Sequence, residues 1–370
     1  MGLTSNKVLA LAVLAAVALF AVTVWLWPRL ARRSWRAVLG RVGLLLATQL
    51  SLFAAVGLAA NNYFLFYGSW ADLLGREQEL GVVVDHAAGG DRVKVVEKRR
   101  MDVPGGRDPQ IGGQVQKVVI SGEESGIDSP AYVYLPPEYF QPAHARRTFP
   151  AAVVLTGYPG TAENLLEGLR YPRTAYEQAK AGRMQPMILV MLRPTVAPPR
   201  DTECVDVPGG PRTETYFARD LPKAVSETYR VGRAARNWGF IGNSTGGYCA
   251  LKIALHHPDR FAAGAGLSAY YRAAEDVTTG DLFKGDARLR NRADLLWSLD
   301  HLPQGRSSFL VTTSRQGEGN LKGTREFVGK VKAPARVSSI TLDSGGHNFG
   351  TWNREIPPAL VWLGGRLSAA

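Results

Sequence analysis

The chain has 370 residues, 45% of them hydrophobic and 21% charged, a composition that is ordinary for a folded protein and leaves room for a membrane segment beside one large domain. The net charge of +12 could suit a nucleic-acid-binding protein, but half of the excess lies in residues 1–67 and no nucleic-acid motif accompanies the rest, so nucleic acid is excluded as a partner. The two cysteines and six histidines show no metal-ligand spacing, and no motif indicates a cofactor.

Two apolar runs at the N-terminus predict a membrane anchor over residues 1–67. Val8 to Trp27 is free of charge, and its 20 residues would span about 30 Å as a helix, the thickness of a bilayer core. A second run begins at Val42 and continues to about Tyr67. The segment between them carries five arginines, which the positive-inside rule places in the cytoplasm.

This topology predicts a multi-pass protein of the plasma membrane whose later residues lie outside the cytoplasm. Aromatic residues near the span ends fit the interfacial belts of membrane proteins: Trp25, Trp27, Tyr63 and Tyr67. The alternative is a cleaved signal peptide followed by a core helix. The first run is long for a signal peptide and has no clear cleavage site, which favours two spans.

Residues 68–112 are interpreted as a mixed connector with a short strand near Val82–Val84. From residue 113 to 370, short β-rich runs alternate with helical patterns, which predicts an α/β domain with a mostly parallel sheet. The predicted strands are 115–121, 131–135, 151–156, 187–192, 237–241, 262–267, 308–313 and 336–342. The predicted helices are 162–182, 214–229, 246–257, 321–331 and 349–366, and residues 270–306 are expected to form an excursion over the sheet.

The segment Gly242-Asn243-Ser244-Thr245-Gly246 contains the G-x-S-x-G pattern between an apolar strand and a helix. That context is typical of a nucleophile elbow, in which small flanking residues let strand and helix approach around a strained serine. Free N–H groups at the start of the following helix would stabilise an oxyanion. Ser244 is therefore the predicted nucleophile.

A serine nucleophile needs a base, and His347 is the best placed of the six histidines. It lies in a glycine-rich loop directly after the last predicted strand, and catalytic groups gather at the carboxyl ends of strands in this kind of sheet. His86 and His144 precede the core in polar sequence, and His301 has no flanking signal. His256 and His257 end the helix after Ser244, far from its reactive end.

The third triad member should be an acid between Ser244 and His347, and Glu318 is the predicted residue. It follows the strand 308–313, one strand before the histidine. Asp276 and Asp281 remain as alternatives. Asp300 precedes that strand, and Asp343 lies too close to the histidine along the chain.

Two backbone amides are expected to form the oxyanion hole. Thr245 follows the nucleophile, and Tyr158 lies in the loop after the third domain strand, where Pro159 cannot donate. Cys204 and Cys249 could form a disulfide if the domain is exported, or could remain two buried thiols.

These motifs resemble the bacterial esterase family that includes the antigen 85 mycolyltransferases and the S-formylglutathione hydrolases. The similarity covers residues 114–367 and rests on the motifs around Ser244 and His347 and on the loop 156–160. Glu318, 29 residues before His347, also fits the antigen 85 pattern. The loop lacks the aspartate and arginine that recognise trehalose in antigen 85, so the resemblance does not imply trehalose or mycolate. The arginine-, alanine- and glycine-rich composition and the fused spans resemble actinobacterial cell-envelope members.

The predicted function is that of an extracytoplasmic serine esterase or acyltransferase, without a cofactor, acting on a small-molecule or lipid acyl ester through an acyl-enzyme. One alternative is an inactive α/β-hydrolase-fold binding module in the cell envelope, since fold alone does not fix function. A peptidase is less favoured because no cap-like extra domain is visible to select peptides.

Overall fold

The computed structural model describes residues 5–32, 34–64, 70, 92–198 and 200–369, with only the backbone at 63 and 64. The chain divides into two units, Met1–Gly81 and Val82–Ala370. The strand predicted near Val82–Val84, His86 and Tyr67 lie outside the described residues.

The first unit contains two long helices, α1 (Asn6–Leu30) and α2 (Trp35–Phe64). Both are long and apolar enough to cross a membrane, with mean hydropathies of 2.7 and 2.0. They pack against each other, and the hydroxyls of Thr23 and Thr48 meet at 2.9 Å between them. The segment that connects the two helices is shorter than the sequence suggested, because α2 begins at Trp35 rather than at residue 42. Arg29 and Arg36 therefore lie on the helices beside the turn.

A nine-stranded mixed sheet forms the centre of the second unit. The strands, numbered β1 to β9 in chain order, are Val93–Arg100, Gln114–Ser121, Asp128–Leu135, Ala151–Leu155, Ile188–Leu192, Trp238–Asn243, Ala263–Leu267, Ser308–Gln316 and Arg336–Ser344. Their order in the sheet is β1-β2-β3-β5-β4-β6-β7-β8-β9. The first four strands in this order pair antiparallel, and from β5 to β9 all neighbours are parallel. All eight predicted strands are present, and β1 is an addition.

The central strands are apolar throughout because both faces of the sheet are covered. In β4, Ala151, Val153 and Leu155 enter one apolar cluster, whereas Ala152 and Val154 enter the other. Alternate side chains of a strand point to opposite faces, so this division marks a layer of helices on each side. The predicted α/β class is confirmed.

Seven helices and several shorter helical turns cover the sheet in the described residues. The helices are α3 (Tyr171–Lys180), α4 (Leu221–Thr228), α5 (Thr245–His256), α6 (Ala287–Arg292), α7 (Leu295–His301), α8 (Leu321–Lys330) and α9 (Phe349–Gly364). The turns are Pro109–Gly112, Pro137–Tyr139, Pro142–His144, Glu163–Leu166, Thr213–Thr215, Tyr216–Asp220 and Ala235–Asn237.

Two predicted helices are interrupted. The helix expected at 162–182 breaks before Tyr171, because Arg170 adopts the left-handed conformation with φ of 52°. The helix expected at 214–229 starts at Thr213, is interrupted by the π-helical turn Tyr216–Asp220 and becomes regular again at Leu221. Residues 270–306, expected as an excursion, contain the two short helices α6 and α7.

Strand β1 lies within the stretch interpreted as a connector. Val93–Arg100 pairs with β2 along its length, and the turn Pro109–Gly112 follows it. It is an edge strand whose side chains are mostly exposed, and its charges hide the alternation that would have marked it as a strand. The sheet therefore begins before residue 113.

Candidate active site

Four loops at the carboxyl ends of parallel strands meet at one edge of the sheet. They follow β4, β6, β8 and β9, and they carry Tyr158, Ser244, Glu318 and His347, respectively. The register brings Leu155 beside Gly242, and Gln316 beside Ser344. The topology thus collects the predicted site residues from widely separated parts of the chain.

Ser244 occupies a strained turn between β6 and α5, with φ of 54° and ψ of −122°. The turn requires glycine on both sides. A methyl group on Gly242 would lie 2.4 Å from the Gly246 carbonyl, and one on Gly246 would lie 2.4 Å from the carbonyl oxygens of Leu155 and Thr156. Backbone in such a conformation persists only where the surroundings fix it, and it is common at functional sites.

The hydroxyl of Ser244 lies 2.8 Å from Nε2 of His347, a hydrogen bond between residues 103 positions apart in the chain. The imidazole is about half exposed, so a ligand can reach it. Its ring packs edge-on against Trp352 at a centroid distance of 5.1 Å. Asn348 caps the start of α9 by accepting a hydrogen bond from the amide of Thr351, which fixes the loop that carries the histidine.

Glu318 lies on the other side of the imidazole. Its carboxylate oxygen is 3.7 Å from Nδ1 of His347, an ion-pair distance that is longer than a hydrogen bond, and its side chain is only 2% exposed. The other acids considered from sequence are engaged elsewhere. Asp276 and Asp281 accept hydrogen bonds from nearby loop amides, Asp300 pairs with Lys330, and Asp343 is fully exposed beside Arg315.

A second carboxyl group lies close to Glu318. Glu355 on α9 is fully buried, and neither of its oxygens has a hydrogen-bond partner among the described residues. Burial raises the pKa of Glu355 to about 8, and the nearby charge of Glu318 contributes to the rise. The site therefore pairs an acid beside the histidine with one that is protonated at neutral pH.

The two predicted oxyanion residues belong to two segments that meet at Ser244. Thr245 is the first residue of α5, where backbone amides have no acceptor within the helix. Tyr158 belongs to the loop after β4, which approaches Ser244 closely because residue 157 is glycine. A methyl group on Gly157 would lie 2.8 Å from Cβ of Ser244.

A buried polar chain begins at the side chain of Thr245, the residue after the serine. The hydroxyl of Tyr270 lies 3.0 Å from the Thr245 hydroxyl and 2.6 Å from a carboxyl oxygen of Glu203. Burial raises the pKa of Glu203 to about 8, with a further contribution from Asp201. A disulfide joins the next residue, Cys204, to Cys249 on α5.

The other described histidines lie outside this arrangement. His256 and His257, at the far end of α5, surround the buried carboxylate of Glu214, which also contacts Lys252 at 2.7 Å. Burial alone would raise the pKa of Glu214, but the charge of Lys252 and the hydrogen bonds from the two histidines hold it well below its usual value. The cluster is a paired ionic network that connects α5 to the segment before α4.

A groove of about 820 Å³ opens beside the loop that carries Tyr158. Its opposite wall comes from residues 277–284 and Arg200, whose guanidinium donates to the carbonyls of Thr279 and Asp281. Lys284 supplies a second cation to the groove. The groove is large enough for a drug-sized molecule and meets the predicted site at Tyr158, whereas Ser244 and His347 do not line it.

Several residues around the site were not predicted from sequence. Gly157 had a signal, since a glycine beside an oxyanion loop indicates a close backbone approach. Trp352, Glu355, Glu203 and Tyr270 had none, because they reach the site only through the fold.

The chain is similar to known proteins in both sequence and fold. Residues 123–363 match the family model described as "Putative esterase". An uncharacterised protein of Corynebacterium glutamicum is 27% identical over 277 residues, which cover 70% of this chain. The match spans 63% of the length of that relative.

Solved structures share the fold at low identity. An S-formylglutathione hydrolase from Agrobacterium tumefaciens is 18% identical, with a TM-score of 0.58 over 74% of this chain and all of its own. A ferulic acid esterase is 18% identical, with a TM-score of 0.57 over 68% of this chain and 98% of its own. A fluorophosphonate-binding serine hydrolase of Staphylococcus aureus is 17% identical, with a TM-score of 0.53 over the same shares.

Proposed function

Because this chain belongs to the esterase family of α/β-hydrolases, we propose that it is a membrane-anchored serine esterase or acyltransferase that acts outside the cytoplasm through Ser244. The observation that carries the proposal is the 2.8 Å contact between the Ser244 hydroxyl and Nε2 of His347 on a strained serine turn. A base at that distance can remove the hydroxyl proton as the serine attacks.

The reaction begins when Oγ of Ser244 attacks the ester carbonyl carbon and its proton passes to His347. The carbonyl oxygen becomes an oxyanion, which accepts hydrogen bonds from the amides of Thr245 and Tyr158. The tetrahedral species then collapses as the C–O bond to the alcohol breaks, and the imidazolium returns its proton to the leaving alkoxide. Water or an alcohol attacks the resulting acyl-enzyme by the same steps and releases Ser244.

Glu318 is proposed as the acid that orients the imidazole and stabilises its cation. Its carboxylate lies 3.7 Å from Nδ1, and a displacement of less than 1 Å would form the hydrogen bond. Catalytic hydrogen bonds are often long without substrate and shorten in the complex. The buried side chain of Glu318 is better placed for this role than the exposed Asp343.

The proposed location outside the cytoplasm rests on two independent features. The two apolar helices are joined by an arginine-rich turn, which the positive-inside rule assigns to the cytoplasm. The disulfide between Cys204 and Cys249 belongs to the second unit, and such bonds persist in oxidising compartments.

The proposed substrate is a small-molecule or lipid acyl ester that occupies the groove beside Tyr158. The groove wall holds two cations, Arg200 and Lys284, against one acid, Asp281, a balance that favours an ester carrying a negative charge. No feature of the site favours the inactive binding module over the enzyme.

Labelling with a fluorophosphonate probe tests the proposal directly. We expect the native protein to be labelled and the Ser244→Ala variant to remain unlabelled, because the probe phosphonylates an activated serine. Ser226→Ala, which changes a serine of α4 outside the site, serves as the matched control and should label normally. Equal labelling of the Ser244→Ala and native proteins would refute the proposal.

A further inference from the structure

The hydrogen-bond chain behind Thr245 has two possible directions. The hydroxyl of Tyr270 lies within hydrogen-bond distance of both Glu203 and Thr245, at 2.6 Å and 3.0 Å. A phenol carries one proton, so it can donate to only one of the two and must accept from the other. The number of protons on Glu203 therefore determines the direction of the chain.

The three side chains are held in place from several sides. Glu203 is 1% exposed and adopts a positive φ of 49°, next to the disulfide that joins Cys204 to α5. Cys249 lies four residues after Thr245, and thus on the same face of α5. The ring of Tyr270 stacks on that of Tyr248, with centroids 5.2 Å apart and planes at 16°.

We propose that Glu203 is a positioning residue whose proton, acting through Tyr270, decides whether the hydroxyl of Thr245 can donate a hydrogen bond into the active site. The inference rests on the proposed function, since it assigns a role beside the oxyanion formed at Ser244.

With Glu203 protonated, its carboxyl donates to Tyr270, and Tyr270 donates to the Thr245 hydroxyl oxygen. The threonine then keeps its own proton free for the bound ester. With Glu203 ionised, Tyr270 must donate to the carboxylate. Thr245 then donates to Tyr270, and its proton is withdrawn from the site. A single proton at Glu203 thus determines whether the hydroxyl of Thr245, two hydrogen bonds away, is free to donate.

The surroundings keep the carboxyl protonated at neutral pH. Burial and the neighbouring Asp201 raise the pKa of Glu203 to about 8, although Tyr270, the Ala274 amide and Lys252 favour its ionised form. Lys252 is engaged by Glu214 at 2.7 Å and by the carbonyl of Cys204, so much of its charge is compensated. Tyr248 faces the same carboxyl and has a pKa well above its usual value because it is buried.

The second carboxyl oxygen, Oε2, has no hydrogen-bond partner within the described part of the chain. A proton on Oε2 would be a buried donor without an acceptor, which is costly. A proton on Oε1 instead forms the 2.6 Å bond to Tyr270. The protonated acid therefore donates towards Tyr270.

The test is the dependence of kcat/KM on pH for a neutral ester, measured with the full-length protein. We expect native activity to fall at least about tenfold as pH rises through about 8, the loss typical of removing one donor to an oxyanion. In Glu203→Gln the amide donates to Tyr270 at every pH, so the alkaline fall should disappear. Glu326→Gln, an exposed glutamate on α8, should retain it.

Two further variants keep the inference testable if Glu203→Gln does not fold. Tyr270→Phe severs the chain and should also abolish the alkaline fall. Asp201→Asn removes the charge that raises the pKa of Glu203, so the fall should begin at a lower pH.

The inference is overturned if the native enzyme shows no fall below about pH 9.5, or if Glu203→Gln or Tyr270→Phe shows the native profile. These results differ from a failure of the proposed function, in which hydrolysis would not depend on Ser244 at any pH.

Discussion

At the residue scale, the members of the proposed triad differ in how much solvent reaches them. The imidazole of His347 is half exposed, whereas the carboxylate beside it is almost fully buried. A buried carboxylate interacts strongly with the imidazolium that forms during attack, because little water screens the pair. This arrangement explains how Glu318 can act at a starting separation of 3.7 Å.

Replacing Glu318 with glutamine should lower kcat by about 10²–10⁴, because removal of a triad acid has a cost near the upper value in well-defined triads. Steady-state kinetics on a neutral ester measure the effect. Asp343→Asn is the control, since this exposed residue should have no role. A larger loss in Asp276→Asn or Asp281→Asn than in Glu318→Gln would assign the role to one of those residues.

Glu355 gives a prediction about stability and pH. Its pKa is raised in the folded protein to about 8, from an ordinary value of 4.5, chiefly by burial. Its protonated form favours folding, so this contribution is complete below about pH 4.5 and is lost as pH rises through about 8.

Glutamine at position 355 removes this dependence. Glu355→Gln should therefore gain stability over the native protein between pH 5 and pH 8, by a few kcal/mol at the upper end. Urea unfolding at both pH values measures the gain, with the exposed Glu326→Gln as control. A gain that is equal at both pH values would show that Glu355 is ionised in the fold.

Residues at the site differ in how far sequence could identify them. Ser244, His347 and Glu318 stand beside strand ends in recognisable turns, so local pattern and chain order were sufficient to nominate them. Glu203 and Glu355 are ordinary charged residues in sequence. Their surroundings come from distant parts of the chain, as in the contact of Glu203 with Tyr270, 67 residues away, which local pattern could not show.

At the scale of elements, the site depends on how closely the loop after β4 approaches the serine turn. Gly157 is the point of contact, since any side chain there would meet Cβ of Ser244. The same loop carries Tyr158, so its position also sets the second proposed oxyanion donor.

Gly157→Ala should reduce kcat at least about tenfold while the protein still folds, because the added methyl displaces either the loop or the serine. Kinetics together with thermal unfolding separate the two effects. Gly329→Ala is the matched control, since a methyl there meets no described atom within 4 Å and should leave activity unchanged. Native kcat in Gly157→Ala would show that the loop has no catalytic role.

The elements themselves were predictable where burial is uniform. The parallel strands β4 to β7 are buried along their whole length because helices cover both faces, and the sequence pattern locates all of them. The edge strand β1 was missed because exposure permits charged residues on it. The break before α3 was missed because Arg170, rather than glycine, adopts the left-handed conformation.

At the scale of the whole molecule, the chain combines two membrane-compatible helices with a disulfide-containing hydrolase domain. Under the proposed topology, the turn between the helices faces the cytoplasm and the domain faces outward. Both native cysteines are joined in the disulfide and leave no free thiol among the described residues.

Cysteine substitution can therefore report the topology in intact cells. Val277→Cys, at a position that is 99% exposed, should react with a membrane-impermeant maleimide added outside. Arg32→Cys, in the turn between the helices, should react only after lysis. The reverse pattern would place the domain in the cytoplasm.

The central claim, that Ser244 carries the acyl group during turnover, is tested most directly by trapping the intermediate. The protein is mixed with a p-nitrophenyl ester, quenched in acid during turnover and digested, and the peptides are examined by mass spectrometry. We predict an added acyl mass on the peptide that contains Ser244, with none in Ser244→Ala. Steady turnover with the acyl group on a different residue, or with no acylated peptide in the native protein, would contradict the account.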